Sequence, residues 1–258
     1  MDRCIDIQNL SLGYGGRTVV NQVDISIPKG RLVAVVGPNG CGKSTLLRAV
    51  GRLHKPSRGA IRVNRMDIWK TPLSRVAKQV TLLPQYPTAP AGISVIELAG
   101  FGRYPCQGLF PRWSNADQSA VEQALDATGL TDLAHTPIDY LSGGQRQRAW
   151  LAMALAREAP VMLLDEPTSA LDLGHQIEIL SLVRSLAHDG RTIFMVVHDL
   201  FSAARYADIV VAMAEGRIMA AGDPVSTIDQ ALVKSLYGVD ADILKAPGDN
   251  SPLVVPKG

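Results

Sequence analysis

The stretch VVGPNGCGKST, residues 35–45, decides how this chain is read. It fits the pattern G-x-x-x-x-G-K-[ST] with Gly37, Gly42, Lys43 and Ser44, and it follows an apolar run at residues 32–36, the buried strand such a loop leaves. Pro38, Asn39, Gly40 and Cys41 complete the loop, and Thr45 lies in the first turn of the helix expected after it. Glycines at 37, 40 and 42 admit backbone conformations closed to other residues, so successive N–H groups curl around a polyphosphate. Lys43 then reaches the β- and γ-phosphates and Ser44 offers its hydroxyl to Mg²⁺. The helix over about 44–51 turns its positive dipole end toward the anion. A ligand-free β-to-α turn is the alternative, but an eight-position match in a strand-loop-helix context is seldom accidental.

At 258 residues and 47% hydrophobic content, the chain is long enough for one large domain or two small ones with a substantial core. A net charge of +2 supplies no global basic excess, so no nucleic-acid partner is expected. No uninterrupted apolar run reaches about 18 residues, and MDRCIDIQNL holds no apolar signal core. Neither a membrane span nor export is expected. Cys4, Cys41 and Cys106 are odd in number and lack metal-ligand spacing, which argues against a disulfide framework or zinc and fits a reducing cytosol. Cys41, inside the phosphate loop, reads as a tolerated loop side chain, with a redox role as the alternative.

Residues 3–28 alternate apolar and polar around Gly13-Tyr14-Gly15-Gly16, which predicts antiparallel strands joined by a turn. Tyr14 is the aromatic of that turn, either a packing residue or a face for an adenine to stack on. Further strands are expected at 60–63 and 80–85, with a short helix at 73–78 between them. Gln85 falls at a strand's carboxyl end, where open α/β sheets place ligand-contacting groups. Residues 86–113 hold five of the chain's thirteen aromatics (Tyr86, Phe101, Tyr104, Phe110, Trp113) among prolines and glycines that interrupt any helix. They read as a partner-contacting face, or else as a small separate core. Capped helices are expected at 115–129 and 145–157, then a buried strand at 161–166, a helix at 171–187, an apolar strand at 192–197 and a late hairpin turning at Glu215-Gly216. Strands alternating with helices after residue 160 imply a mostly parallel sheet. The Pro-Gly-Asp-Asn-Ser-Pro tail after residue 246 reads as mobile.

Asp165 follows four apolar residues, so its carboxylate sits at a strand end where Mg²⁺ would be held beside Ser44. Glu166, next to it, would orient and polarise an attacking water; the alternative for the pair is a helix N-cap before Pro167. Leu141-Ser142-Gly143-Gly144-Gln145 forms a second glycine nest at a helix start, with Ser142 able to donate to a phosphate oxygen. One nucleotide has one γ-phosphate, yet two loops are built to cradle it. A symmetric dimer resolves this, with the Ser142 loop of one copy closing over ATP held by the Gly37 loop of the other.

The set GPNGCGKST, Gln85 after a strand, LSGGQ, LLDEP, Ser169-Ala170-Leu171-Asp172 and a strand ending in His198-Asp199 resembles the ATP-binding cassette (ABC) ATPases along nearly the whole chain. The resemblance implies an α/β P-loop NTPase fold with an N-terminal antiparallel β layer, a mostly parallel core sheet flanked by helices, and a helical subdomain. Residues 1–85 and 159–245 would form the nucleotide-binding core and 86–158 the helical subdomain, with 246–258 a flexible tail. It further implies that Tyr14 stacks on adenine, Gln85 senses the γ-phosphate and metal, Glu166 is the general base, Asp172 communicates across the dimer and His198 contacts the γ-phosphate. Phe101-Gly102-Arg103-Tyr104-Pro105, residues 145–150 and His198-Asp199-Leu200 look like the bacterial ferric-siderophore importer ATPases, a group related to vitamin B12 and haem importers. In that group residues matching 86–113 receive a coupling helix of a membrane permease, and a substrate-binding protein works at the far side of the membrane. A soluble cassette acting on nucleic acid or ribosomes is the alternative of another class, but the duplicated cassette, coiled-coil insertion and zinc cysteines usual there are missing from this sequence. A kinase would leave Ser142 to Gln145 unexplained.

Overall fold

The computed structural model describes residues 3–107, 112–169 and 171–257. In chain order the elements are β1 (Arg3–Tyr14), β2 (Arg17–Pro28), β3 (Leu32–Val36), α1 (Lys43–Val50), β4 (Arg58–Val63), β5 (Met66–Asp67), α2 (Leu73–Ala77) and β6 (Val80–Leu83). There follow α3 (Val95–Phe101), α4 (Asn115–Ala127), α5 (Gly143–Ala156), β7 (Val161–Asp165), α6 (Leu173–His188) and β8 (Thr192–Val196). The chain closes with α7 (Leu200–Tyr206), β9 (Ile209–Ala214), β10 (Arg217–Gly222), α8 (Pro224–Thr227), α9 (Gln230–Tyr237), β11 (Ala241–Lys245) and β12 (Pro252–Pro256).

Three sheets result among the described residues. The alternating N-terminal segment gives an antiparallel layer in the order β2-β1-β4-β5, and the continuous apolar runs give a six-stranded sheet, β10-β9-β3-β8-β7-β6. The latter is parallel except for its β9–β10 hairpin. Every residue of β3, β7 and β8 is buried, as strands covered on both faces require. Their side chains divide by the period of two. Val33, Val35, Phe194 and Val196 pack with α1 and the antiparallel layer, whereas Leu32, Ala34, Val36, Ile193 and Met195 pack with α3 to α6 and the C-terminal helices. The core sheet therefore separates two apolar cores, and the carboxyl ends of β3, β7 and β8 line up along one rim.

Helices α3, α4 and α5 pack on one another as a helical layer. Arg103, buried just after α3, holds the layer together: its Nε donates to Asp117 at 2.8 Å, and its Nη1 donates to the Ala156 carbonyl and to Glu158, each at 2.7 Å. A buried guanidinium is tolerated because each partner accepts from it in a charge-assisted bond.

Two expectations are corrected. Helix α3 occupies part of the segment read as helix-interrupted, and its start is fixed by a capping box between Ser94 and Glu97. The tail read as mobile instead carries β12, which pairs antiparallel with β11 in a continuous register from Lys245↔Pro252 to Ala241↔Pro256 and packs on α7. Helix α5 starts at Gly143 with Ser142 as its cap, matching the capped start expected near Ser142. Phe110 and Pro111 of the aromatic segment, and Ala170, lie outside the described residues.

Candidate active site

The phosphate loop leaves the carboxyl end of β3. Gly37 has φ 143°, and a Cβ there would fall 1.9 Å from the Met213 carbonyl oxygen on the neighbouring strand β9, so only glycine permits this crossing. The far side is anchored by the Gly216 amide, which donates to the Cys41 carbonyl at 3.1 Å. Lys43 is buried, and its Nζ donates to the carbonyls of Gly37 at 2.8 Å and Pro38 at 3.0 Å. An ammonium has three donors, so this leaves one N–H for a phosphate oxygen on a loop that the other two have already shaped. Cys41 is buried here, and burial pushes its thiol above the usual range, which makes it a poor nucleophile.

Ser44 Oγ donates to Asp165 Oδ1 at 2.7 Å, joining the loop to the end of β7. Burial pushes the Asp165 carboxyl up, against the opposing pull of the Ser44 hydroxyl and then of Arg48. Among the described residues no group of three or more His, Cys, Asp or Glu gathers to hold an ion unaided. A hydroxyl and a carboxylate at a phosphate loop are nonetheless hard oxygen donors of the kind Mg²⁺ takes when phosphate oxygens and waters complete its octahedron. The residues present fit the ion.

Glu166 does not cap a helix. It sits with φ 52°, a left-handed conformation that costs a non-glycine residue of the order of 1–3 kcal/mol and persists only where the surroundings impose it. The surroundings are specific: its amide donates to the Val196 carbonyl at 3.1 Å, and its own carbonyl accepts from the Ser169 amide at 3.1 Å and hydroxyl at 3.0 Å. This turns the side chain back toward the rim, where it is 8% exposed, Oε2 accepts from Gln85 Nε2, and His198 Nε2 lies 2.5 Å from the same oxygen. Three strand ends thus converge on one carboxylate. Both neighbours meet the same oxygen, Oε2.

The other sequence-predicted residues occupy two further places. Tyr14 ends β1, half exposed, with its ring 4.3 Å from that of His54. Ser142 caps α5: its Oγ accepts from the Gln145 amide at 3.2 Å, and the Gln145 side chain accepts from the Ser142 amide at 3.0 Å. The Ser142 hydroxyl proton remains available to a phosphate. Leu141 is buried beneath it, Gly143 and Gly144 form the first turn, and Asp172 caps the adjacent α6. The structure thus brings Lys43, Ser44, Asp165, Glu166, Gln85 and His198 together and sets Ser142 to Gln145 on a different layer. Sequence reasoning quoted Ser169 as part of a motif without its role in fixing the Glu166 backbone, and missed His175, whose signal was its place three residues after the capping Asp172.

A phosphate loop, an Asp-Glu pair at the end of a buried parallel strand and a second capped glycine loop on a separate helical layer define a P-loop ATPase of cassette type. The chain belongs to the ABC transporter family, whose model matches residues 20–169. It is an ATP-binding, ATP-hydrolysing transport subunit. It is 48% identical to the achromobactin transport ATP-binding protein CbrD of Dickeya dadantii (strain 3937) over 98% of this chain and 95% of that one. It is 46% identical to the ferric enterobactin transport ATP-binding protein FepC of Escherichia coli (strain K12), over 97% of this chain and 93% of the relative. Among solved structures, an inward-facing putative metal-chelate type ABC transporter superposes with a TM-score of 0.86 at 29% identity, covering 100% of this chain and 98% of that one.

Proposed function

We propose that this chain powers import of a ferric siderophore through a membrane permease, two copies sandwiching two ATP molecules at the cytoplasmic face of the bacterial inner membrane. The observation that carries the hydrolytic half is the Glu166 carboxylate, held on one oxygen by Gln85 and His198 beside the Ser44–Asp165 pair. Glu166 Oε1 accepts a hydrogen of the attacking water and takes its proton as the γ-phosphoryl is displaced. His198, whose Nε2 lies 2.5 Å from the carboxylate, contacts a γ-phosphate oxygen when ATP binds, and Gln85 reports on the same oxygens. Lys43 and the loop amides stabilise charge that develops on the phosphoryl group. Ser44, Asp165 and Gln85 would hold Mg²⁺, which when bound would supply positive charge beside the developing negative charge. Tyr14 supplies the adenine platform, the Leu141–Gln145 loop closes on the partner copy's ATP, and Asp172 meets the partner across the interface.

Support for the import half comes from the helical layer and from the relatives. A groove of about 580 Å³ lies over α3, lined by Ile93, Ile96, Gly100, Phe101, Tyr104 and Trp113. Phe101 and Tyr104 stack at 5.4 Å along it, and Tyr104 and Trp113 are exposed. An exposed aromatic groove is the kind of surface into which a partner helix lays its apolar face, here a cytoplasmic helix of the permease. No helix among the described residues is long and apolar enough to cross a membrane. The relatives' printed names, ferric enterobactin transport and a metal-chelate type transporter, support an iron chelate as the cargo.

Uptake of iron-labelled siderophores by a strain lacking this chain tests the reading. Loss of uptake for at least one ferric chelate is expected, restored by the wild-type chain and not by Glu166→Gln. Unchanged uptake of every ferric chelate, with the protein recovered on ribosomes or DNA and never with a permease, would contradict it.

A further inference from the structure

One side chain outside the recognised motifs ties two of them together. His175 stands in the first turn of α6, where its amide donates to the capping Asp172 Oδ1 at 3.0 Å and its ring Nδ1 lies 2.8 and 2.9 Å from the two oxygens of that carboxylate. Asp172 is exposed, yet these two bonds hold its carboxyl below the usual range. The opposite edge of the same ring rests on the Ser142 loop. A Cβ added at Gly144 would fall 2.0 Å from His175 Cδ2 and 2.7 Å from Nε2, so the ring occupies the place a side chain would take. The neighbouring Gln176 donates to the Leu171 carbonyl at 2.8 Å and fixes the backbone leading into Asp172. A planar ring bonded on one edge and packed on backbone at the other has almost no freedom of its own.

We propose that His175 is a positioning residue that locks the Asp172 segment and the Ser142–Gln145 loop of one chain into a single rigid face, so that both meet the partner copy's nucleotide as one body. The inference rests on the two-copy sandwich proposed above. It also gives the second glycine of that loop a reason beyond room for phosphate, because any side chain at 144 displaces the imidazole. Through Ser169, which binds the Glu166 carbonyl, the same face is tied to the carboxylate the chain uses on its own ATP. The site a chain owns and the site it completes thus share one short stretch of chain, Ser169 to His175.

The test measures ATP- and Mg²⁺-dependent dimerisation of the Glu166→Gln protein by sedimentation. Adding His175→Ala is expected to raise the concentration for half-dimerisation about ten-fold. His175→Asn, whose amide N–H replaces the ring donor to Asp172, is expected to stay within about two-fold of the parent. His175→Leu keeps bulk but not the bond and should behave as the alanine variant does. ATP affinity of the monomer at the Lys43 loop should be unaltered throughout, which a merely unfolded variant would not show. Dimerisation by the alanine and leucine variants as tight as the parent's, or an asparagine variant no tighter than alanine, overturns the coupling alone. A Glu166→Gln parent that stays monomeric at saturating ATP overturns the sandwich and the coupling with it.

Discussion

Glu166→Gln is expected to bind ATP with wild-type affinity, to lose hydrolysis by at least about 100-fold at saturating ATP, and to accumulate as an ATP-bound dimer. The amide is the same size as the carboxylate, and its oxygen still accepts from Gln85 and His198, so the left-handed backbone at 166 and the converging strand ends need not move. What disappears is the ability to take a proton from water. Loss confined to turnover, with the concentration for half-saturation little changed, is the signature of an interaction made in the transition state. Phosphate release and sedimentation of the same sample read both halves of this result. Turnover within a few-fold of wild type would remove Glu166 from the role of base.

Lys43→Ala is expected to act earlier, on binding itself. Its ammonium shapes the loop through the Gly37 and Pro38 carbonyls and keeps a donor for the triphosphate, so the substitution removes a charge-assisted bond and the order of the cradle together. Such bonds contribute about 1.5–3 kcal/mol each, which places the loss of ATP affinity at about ten- to a hundred-fold. Equilibrium binding of a fluorescent ATP analogue measures it. Unchanged affinity would count against the assignment of the phosphate loop.

Most of the architecture was legible because its signals are local. Five consecutive apolar residues before Gly37, and four before Asp165, specify strands buried on both faces, and each hands a charged or hydrogen-bonding residue to the same rim. Where the signal was compositional rather than local, the reading went astray. The Pro-Gly-Asp-Asn-Ser-Pro segment has the composition of a mobile tail, yet it is the turn of a hairpin whose strand β12 finds its partner in β11. Prolines and glycines around residues 87–105 drew attention away from Ser94 and Glu97, whose three-residue spacing starts α3. At the site, residue types showed which groups carry charge but not who holds them. That Gln85 and His198 meet one Glu166 oxygen and that His175 lies on Gly144 are products of strands and helices distant in sequence. No spacing in the chain encodes them.

The most direct test of the central claim mixes two inactive chains. Lys43→Ala spoils the loop a copy uses for its own ATP, and Ser142→Arg spoils the loop it lends to its partner. Each protein alone should hydrolyse almost nothing, whereas an equimolar mixture forms mixed dimers in which one of the two composite sites is wholly intact. The measured quantity is ATP turnover of the mixture. Recovery to about a quarter of the wild-type rate is the predicted result, since half the dimers are mixed and each has one good site. A mixture no more active than its two components would contradict a triphosphate shared between two chains.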